Sequence, residues 1–229
     1  MAPITLTPDQ IDDLIYSARA GDLEGLTSDL SSLSTQYSVP QSVIIAAAID
    51  AEPEEEGGSG ACLLHYPAAN GNLEILTYLL KTLTSTSPAA SEPSPSLKYE
   101  DIQSVLNHKN HSGNTPLHWA ALNTHFECVK VLVAAGADSK IKNEAGLDAV
   151  FLAERTDWGV QEDQQGEGQE PEQGEGVEEV EMSVGDADAD EAKAGAAPVT
   201  KGRQIVEWLL AAEADAEAEK GEDDKEEQK

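Results

Sequence analysis

The chain has 229 residues, 44 of them acidic and 14 basic, giving a formal charge of −30. A field of that sign repels phosphate backbones and excludes nucleic acid as a natural direct partner, while the length accommodates one elongated domain with long insertions. Two cysteines, no basic and apolar leader in MAPITLTPDQIDD, and no apolar run near the roughly 20 residues that span a bilayer point to a soluble, intracellular chain with free thiols.

Residues up to Pro8 read as a flexible lead, and Thr7-Pro8-Asp9 as the cap of a first helix carrying Ile11, Leu14 and Ile15. From Leu14 to Leu30, LIYSARAGDLEGLTSDL sets Leu14, Ala18, Leu23, Leu26 and Leu30 at helical spacing on either side of Gly21. The register breaks after Leu33. Ser38 to Ile49, centred on VPQSVIIAAAI, predicts a short extra helix folding back on this pair, and Glu52 to Gly60 a solvated turn. A second helix pair is carried by CLLHYPAANGNLEILTYLL, Cys62 to Leu80, through Leu64, Leu73, Leu76, Leu79 and Leu80. Pro67 stands in its first helix where alanine would fit, and is expected to distort it at a cost of up to ~3 kcal/mol. Thr82 to Ser96, rich in Ser, Thr, Pro and Ala, predicts a long loop whose closure entropy grows only logarithmically with length; Tyr99 to Leu106 resumes amphipathic helical spacing.

The most regular stretch comes next, NHSGNTPLHWAALNTHFECVKVLVAAGADSKIK from Asn110 to Lys142. Thr115-Pro116 opens a helix, the threonine capping free N–H groups and the proline giving up one that has no partner there. Leu117, Ala120 and Ala121 form its apolar stripe. Phe126, Val129, Leu132 and Val133 form that of a second helix, with Gly136 just beyond it as a left-handed stop. Gly113 and Gly146 are 33 residues apart, and TPLHWAA and GAD are in phase with them; this is an ankyrin repeat. One such hairpin cannot bury its apolar face alone, so the weaker pairs are read as further repeats in the same frame, His65 aligning with His118. The resulting fold class is all-α: a solenoid of about four helix–turn–helix ankyrin repeats with β-turn loops, long loop insertions and acidic disordered segments. Residues 9–50 are the N-terminal capping repeat with its helical insertion, 58–106 the second repeat with the Ser/Pro-rich loop, and 107–142 the third. The fourth is split. NEAGLDAVFLAERTD supplies its loop and first helix within 143–160, and RQIVEWLL its second within 200–212, with Val206 matching Val129 and Leu209 matching Leu132. Between them 161–199 is an acidic insertion, with 13 acidic and no basic residues from Gln161 to Ala192, expected to be disordered. The tail 213–229 is acidic too, its first part extending the last helix before fraying.

Little here carries bond-making chemistry. His65 and His118 follow leucine in LLHY and PLHW, a position ankyrin repeats use to hydrogen-bond across neighbouring loops. His108, His111, His125 and Cys128 lie close in sequence but on different kinds of local structure, and no CxxC pair or HExxH helix sets a metal geometry. No GxSxG, P-loop or GxGxxG motif is present. The expectation is no catalytic residue, no cofactor and no metal. The acidic segments have two readings: solvated entropic spacers, or masks that steer and cover a Lys/Arg-rich partner over about 8 Å in physiological salt.

ARAGDLEGL at Ala18–Leu26, ANGNLEILTYLL at Ala69–Leu80, NHKNHSGNTPLHWAALN at Asn107–Asn123 and KNEAGLDAVFLAE at Lys142–Glu154 resemble a family of fungal ankyrin-repeat chaperones dedicated to small-subunit ribosomal protein S-three, the Yar-one family. The last phrase is the most telling, since generic ankyrins place TPLHLAA where this chain has DAVFLAE. The resemblance implies a binding protein, monomeric when free, that covers the basic N-terminal region of the newly made ribosomal protein. It would keep that client from RNA and from aggregation, accompany it from cytoplasm to nucleus, and release it during 40S assembly without nucleotide. No membrane or direct nucleic-acid partner is implied. The competing reading is a generic ankyrin adaptor in transcription or cell-cycle regulation, which an apolar hot spot insensitive to salt would distinguish.

Ankyrin scaffolds present loop tips and the exposed face of the first helices on one concave surface. In this frame the partner-binding candidates are Ser59, Ala61, Ala69 and Asn70 in the second repeat. In the third they are His111, Ser112, Asn114, Trp119, Leu122 and Asn123, and in the fourth Glu144, Ala145, Leu147, Asp148, Arg155 and Thr156. Trp119 is either packing between successive first helices or a client anchor. Glu144 and Asp148 suit client Arg or Lys, each exposed pair contributing ~0–1 kcal/mol.

Overall fold

The structure, a computed structural model, describes residues 4–85, 97–163 and 200–226. The helices follow in pairs: α1 (Pro8–Ala20) with α2 (Leu23–Tyr37), then a short α3 (Gln41–Ala47), α4 (His65–Asn70) with α5 (Leu73–Thr84), and α6 (Tyr99–Leu106). Then come α7 (Pro116–Leu122) with α8 (Phe126–Ala134), and α9 (Ala149–Asp163) with α10 (Lys201–Glu226). The first helices stack in order, α1 on α4, α4 on α7 and α7 on α9; behind them α5, α8 and α10 stack in turn, with α3 set between α2 and α5. This is the all-α ankyrin solenoid that the periodicity predicts.

Each start has a local cause. Thr7 Oγ1 accepts from the Gln10 backbone N–H at 3.3 Å while Gln10 Oε1 accepts from Thr7 N–H at 3.0 Å, a reciprocal cap with Pro8 in the first turn. Asp22 Oδ1 accepts from Gly25 N–H at 2.8 Å to open α2. One continuous core runs along the solenoid from Leu14, Leu26 and Leu30 through Leu64, Leu76 and Leu79 to Leu117, Val129 and Leu132. It ends on Ala153, Ile205 and Leu209. In α10 Ile205 and Leu209 are fully buried, whereas Val206 is only half-buried; Trp208 instead meets Phe126 edge-to-face, ring centres 6.1 Å apart.

Three expectations change in detail. Pro67 does not distort a helix, because α4 begins only at His65 and places Pro67 in its first turn, where the backbone N–H would lack an intrahelical acceptor anyway. Glu52 to Gly60 is not solvated throughout. Residues 52–57 are exposed and include a single 3-10 turn, Glu54–Glu56, but Gly58 and Gly60 are buried. The start of the predicted insertion, residues 161–163, belongs to α9, and α10 runs on to Glu226 into the acidic tail. The rest of the 161–199 insertion, and most of the Thr82–Ser96 loop, lie outside the described residues. The predicted extra helix is α3, which buries Ile44 and Ile45 against α2 and α5.

Candidate functional site

Adjacent repeats are fastened at their loops by histidine. His65 Nε2 lies 2.9 Å from the Asn114 carbonyl and His118 Nε2 3.1 Å from the Leu147 carbonyl. A carbonyl only accepts, so in both rings Nε2 carries the proton and Nδ1 is the acceptor. At Nδ1 donors lie nearest: for His65 the backbone N–H of Cys62 at 3.1 Å, ahead of the Cys62 carbonyl at 3.3 Å, and for His118 the Thr115 hydroxyl at 2.7 Å and its backbone N–H at 3.2 Å. Burial, the largest cause, lowers both pKa values, that of His65 to about 4. The other three histidines also meet carbonyls: His108 that of Gly60, His111 that of Gly58, and His125 that of Ala69. With every imidazole set against a carbonyl, the histidines serve repeat-to-repeat alignment. Cys62 and Cys128 are buried free thiols, pushed up by burial to about 12 and about 11. Among the described residues no three His, Cys, Asp or Glu side chains converge as a metal-binding group.

The candidate contact residues fall into two rows. On the first helices, Asn70 Nδ2 donates to the Arg19 carbonyl at 3.0 Å and Asn123 Nδ2 to the Ala69 carbonyl at 2.9 Å, so the row is held in register from repeat to repeat. Leu122, Asn123 and Thr156 line one open groove with Thr200, Lys201 and Gly202. Leu122 and Arg155 are exposed and Ala69 half-buried. Trp119 is half-buried, and its indole N–H is buried with no protein acceptor. Tyr16 and Tyr66 occupy the corresponding places in the first two repeats, Tyr16 at 73% exposure.

Along the loop tips the picture is mixed. Ser112, Glu144 and Ala145 are exposed. Ala61 is a correction: at 4% exposure it lies in the core wall, because the Asp50 N–H bond to its carbonyl draws it in beside the Ile49–Cys62 bridge. Ser59 is committed to structure, its Oγ donating to Asp50 Oδ2 at 2.6 Å and lying 3.1 Å from the Tyr66 hydroxyl. Asn114 gives its carbonyl to His65 and its amide oxygen to Asn143 Nδ2 at 2.8 Å. Leu147 gives its carbonyl to His118, and Asp148 Oδ1 accepts from Phe151 N–H at 2.9 Å at the start of α9.

The sequence frame assigned no contact role to the first repeat, yet the structure forms a groove of about 370 Å³ there. Thr5, Leu6, Pro8, Ile11 and Asp12 from the start of α1 face Asp50, Ala51, Glu52 and Pro53 from the chain after α3. The available signal was Asp50-Ala-Glu-Pro following directly on the apolar IIAAAI run, an acidic, proline-stiffened edge on a buried helix.

A family model described as ankyrin repeats in three copies matches residues 44–143. The ankyrin repeat-containing protein YAR1 of Saccharomyces cerevisiae is 30% identical over 146 residues, 63% of this chain and 62% of its own. A probable E3 ubiquitin-protein ligase, XBOS32, of Oryza sativa is 35% identical over 40% of this chain but only 21% of its own. The chain thus spans less than two thirds of the curated relatives it matches. Among solved structures, a chain from the crystal structure of the yeast ribosomal protein Rps3 in complex with its chaperone Yar1 superimposes with a TM-score of 0.54 and 31% identity, over 73% of this chain and 99% of that one. With ankyrin repeats matched in sequence and 31% identity over 99% of that neighbour, the chain belongs to the family of ankyrin-repeat proteins that includes yeast Yar1.

Proposed function

We propose that this protein is a dedicated chaperone of its own organism's Rps3. In this reading it binds the newly made basic ribosomal protein, masks the region that would otherwise meet RNA or aggregate, and escorts it from cytoplasm to nucleus for 40S assembly. The observation that carries the reading is the match to the Rps3–Yar1 crystal structure over 99% of the neighbouring chain. A charge of −30 suits a strongly basic client. The work is binding and not catalysis: the similarity to the rice ligase and to the Drosophila palmitoyltransferase Hip14 spans only 21% and 11% of those proteins. Release follows from competition by rRNA, with no nucleotide required.

Retrieval of partners from a lysate by the tagged full-length chain, at low and high salt, tests this. Rps3 is expected as the dominant retained protein, lost steeply as salt rises. Its absence, with a neutral regulatory protein held equally at both salts, would replace the chaperone by an adaptor.

A further inference from the structure

The groove in the first repeat combines an apolar floor with a rim of one sign. Leu6, Pro8, Ile11, Ala51 and Pro53 supply carbon surface, Asp12, Asp50 and Glu52 supply carboxylates, and among the described residues no Lys or Arg lines it. We propose that this groove is a docking site for a basic segment of the client chain, seating an arginine or lysine with its aliphatic stem on the proline and isoleucine floor and its cationic head among the three carboxylates. This rests on the proposed function and adds a contact surface to it, one repeat before the loop tips and helix faces at which an ankyrin scaffold is expected to bind.

Three physical features select that occupant. First, a long basic side chain is both apolar along its stem and charged at its tip, so it satisfies floor and rim together, whereas an apolar helix would desolvate three carboxylates without compensation. Second, one of those carboxylates is fixed in advance. Asp50 Oδ2 accepts from Ser59 N–H and Ser59 Oγ, each at 2.6 Å, and Oδ1 accepts from Glu52 N–H at 3.3 Å, so little freedom is left to lose on binding. Burial raises the Asp50 pKa, but the bonds from Ser59 and Glu52, with His111 nearby, together outweigh it and hold the carboxyl below its ordinary value of 3.8. Third, the groove contrasts with the one at the other end of the solenoid, between α9 and α10. There Val150, Phe151 and Leu210 are flanked by Lys140 and Lys142 as well as Asp148, Glu154 and Glu213, and the rim charge selects no sign of partner.

The test is titration calorimetry of the purified full-length chain with its cognate Rps3 across a salt series. The variant Asp12→Lys with Glu52→Lys reverses the two exposed rim charges. Glu74→Lys with Glu127→Lys makes the same change in net charge on α5 and α8, outside the groove. Thermal melting checks that both variants fold. The rim variant is expected to weaken Rps3 binding at least about tenfold and to flatten its salt dependence, the control less than about threefold. Equal losses in both variants would overturn the groove and leave the chaperone reading standing, since the wild-type chain still binds. Failure of the wild-type chain to bind Rps3 would remove both. A wild-type dimer on sedimentation that the rim variant splits would make the occupant a second copy and likewise overturn the proposal.

Discussion

At the residue scale, His65 and His118 tie stability to pH. Each holds a backbone N–H at Nδ1, so a proton there would set donor against donor, and burial already disfavours the charged ring. The unfolded chain takes up a proton near pH 6.5 while folded His65 waits until about 4, so between those values the unfolded state binds more protons. Stability is therefore fully present above pH 6.5 and falls as pH drops through this window, by up to about 1.4 kcal/mol per pH unit from this residue. Urea denaturation between pH 6.5 and 5 should show the decline, and His65→Gln should flatten it while lowering stability overall. An unchanged slope would mean that His65 titrates normally in the folded chain. The structural use of both histidines was readable from LLHY and PLHW because the motif carries its partner with it, a carbonyl in the next repeat. The burial of Ala61 was not, since it depends on the Ile49–Cys62 bridge, a pairing across the Glu52–Gly60 turn that no local spacing announces.

At the element scale, the repeat shows how local geometry becomes an interface. Gly113 and Gly146 sit at the same place in successive loops, with φ of 74° and 76°. A Cβ on Gly113 would lie 2.6 Å from the backbone nitrogen of Glu144, whereas one on Gly146 would meet nothing within 4 Å. Gly146→Ala should therefore cost only the left-handed backbone strain, about 1–2 kcal/mol, and Gly113→Ala distinctly more, because it also separates two repeats. Chemical denaturation of the two variants compares them directly, and equal losses would sink the argument. Helix pairs, their order and their caps were legible because periodicity and Thr-Pro starts are local signals. Pro67 was misread for a reason of boundaries. Alignment on TPLHWAA suggests a helix starting at Leu63, two residues before His65, and without a Thr-Pro start α4 begins later and leaves the proline in its first turn.

At the scale of the whole molecule, charge acts against the fold that carries it. With 44 acidic and 14 basic residues, self-repulsion favours expansion, and salt screens it. The melting temperature should rise between about 10 and 300 mM NaCl, over the range in which the screening length falls from about 30 Å to below 8 Å. Affinity for the proposed client should fall over the same range; a melting temperature that drops instead would show that attractive pairs dominate. The architecture was legible because an ankyrin core is a sum of neighbouring interfaces, each written within some 33–53 residues of sequence. The groove of the first repeat was not. It joins Pro8 and Ile11 to Asp50 and Pro53 across an insertion that has no counterpart in the repeat frame.

The column of histidines ends in the fourth repeat, where Phe151 stands in the place of His118 and Glu154 in that of Ala121. A phenyl ring has no N–H to give a loop carbonyl, and Glu154 sets an exposed carboxylate where the third repeat buries the methyl group of Ala121. In a modular view the chain is editable: histidine at 151 and alanine at 154 would give α9 the same two devices that α7 uses, a ring N–H for a neighbouring loop carbonyl, as His118 gives to Leu147, and a methyl group at the buried place of Ala121.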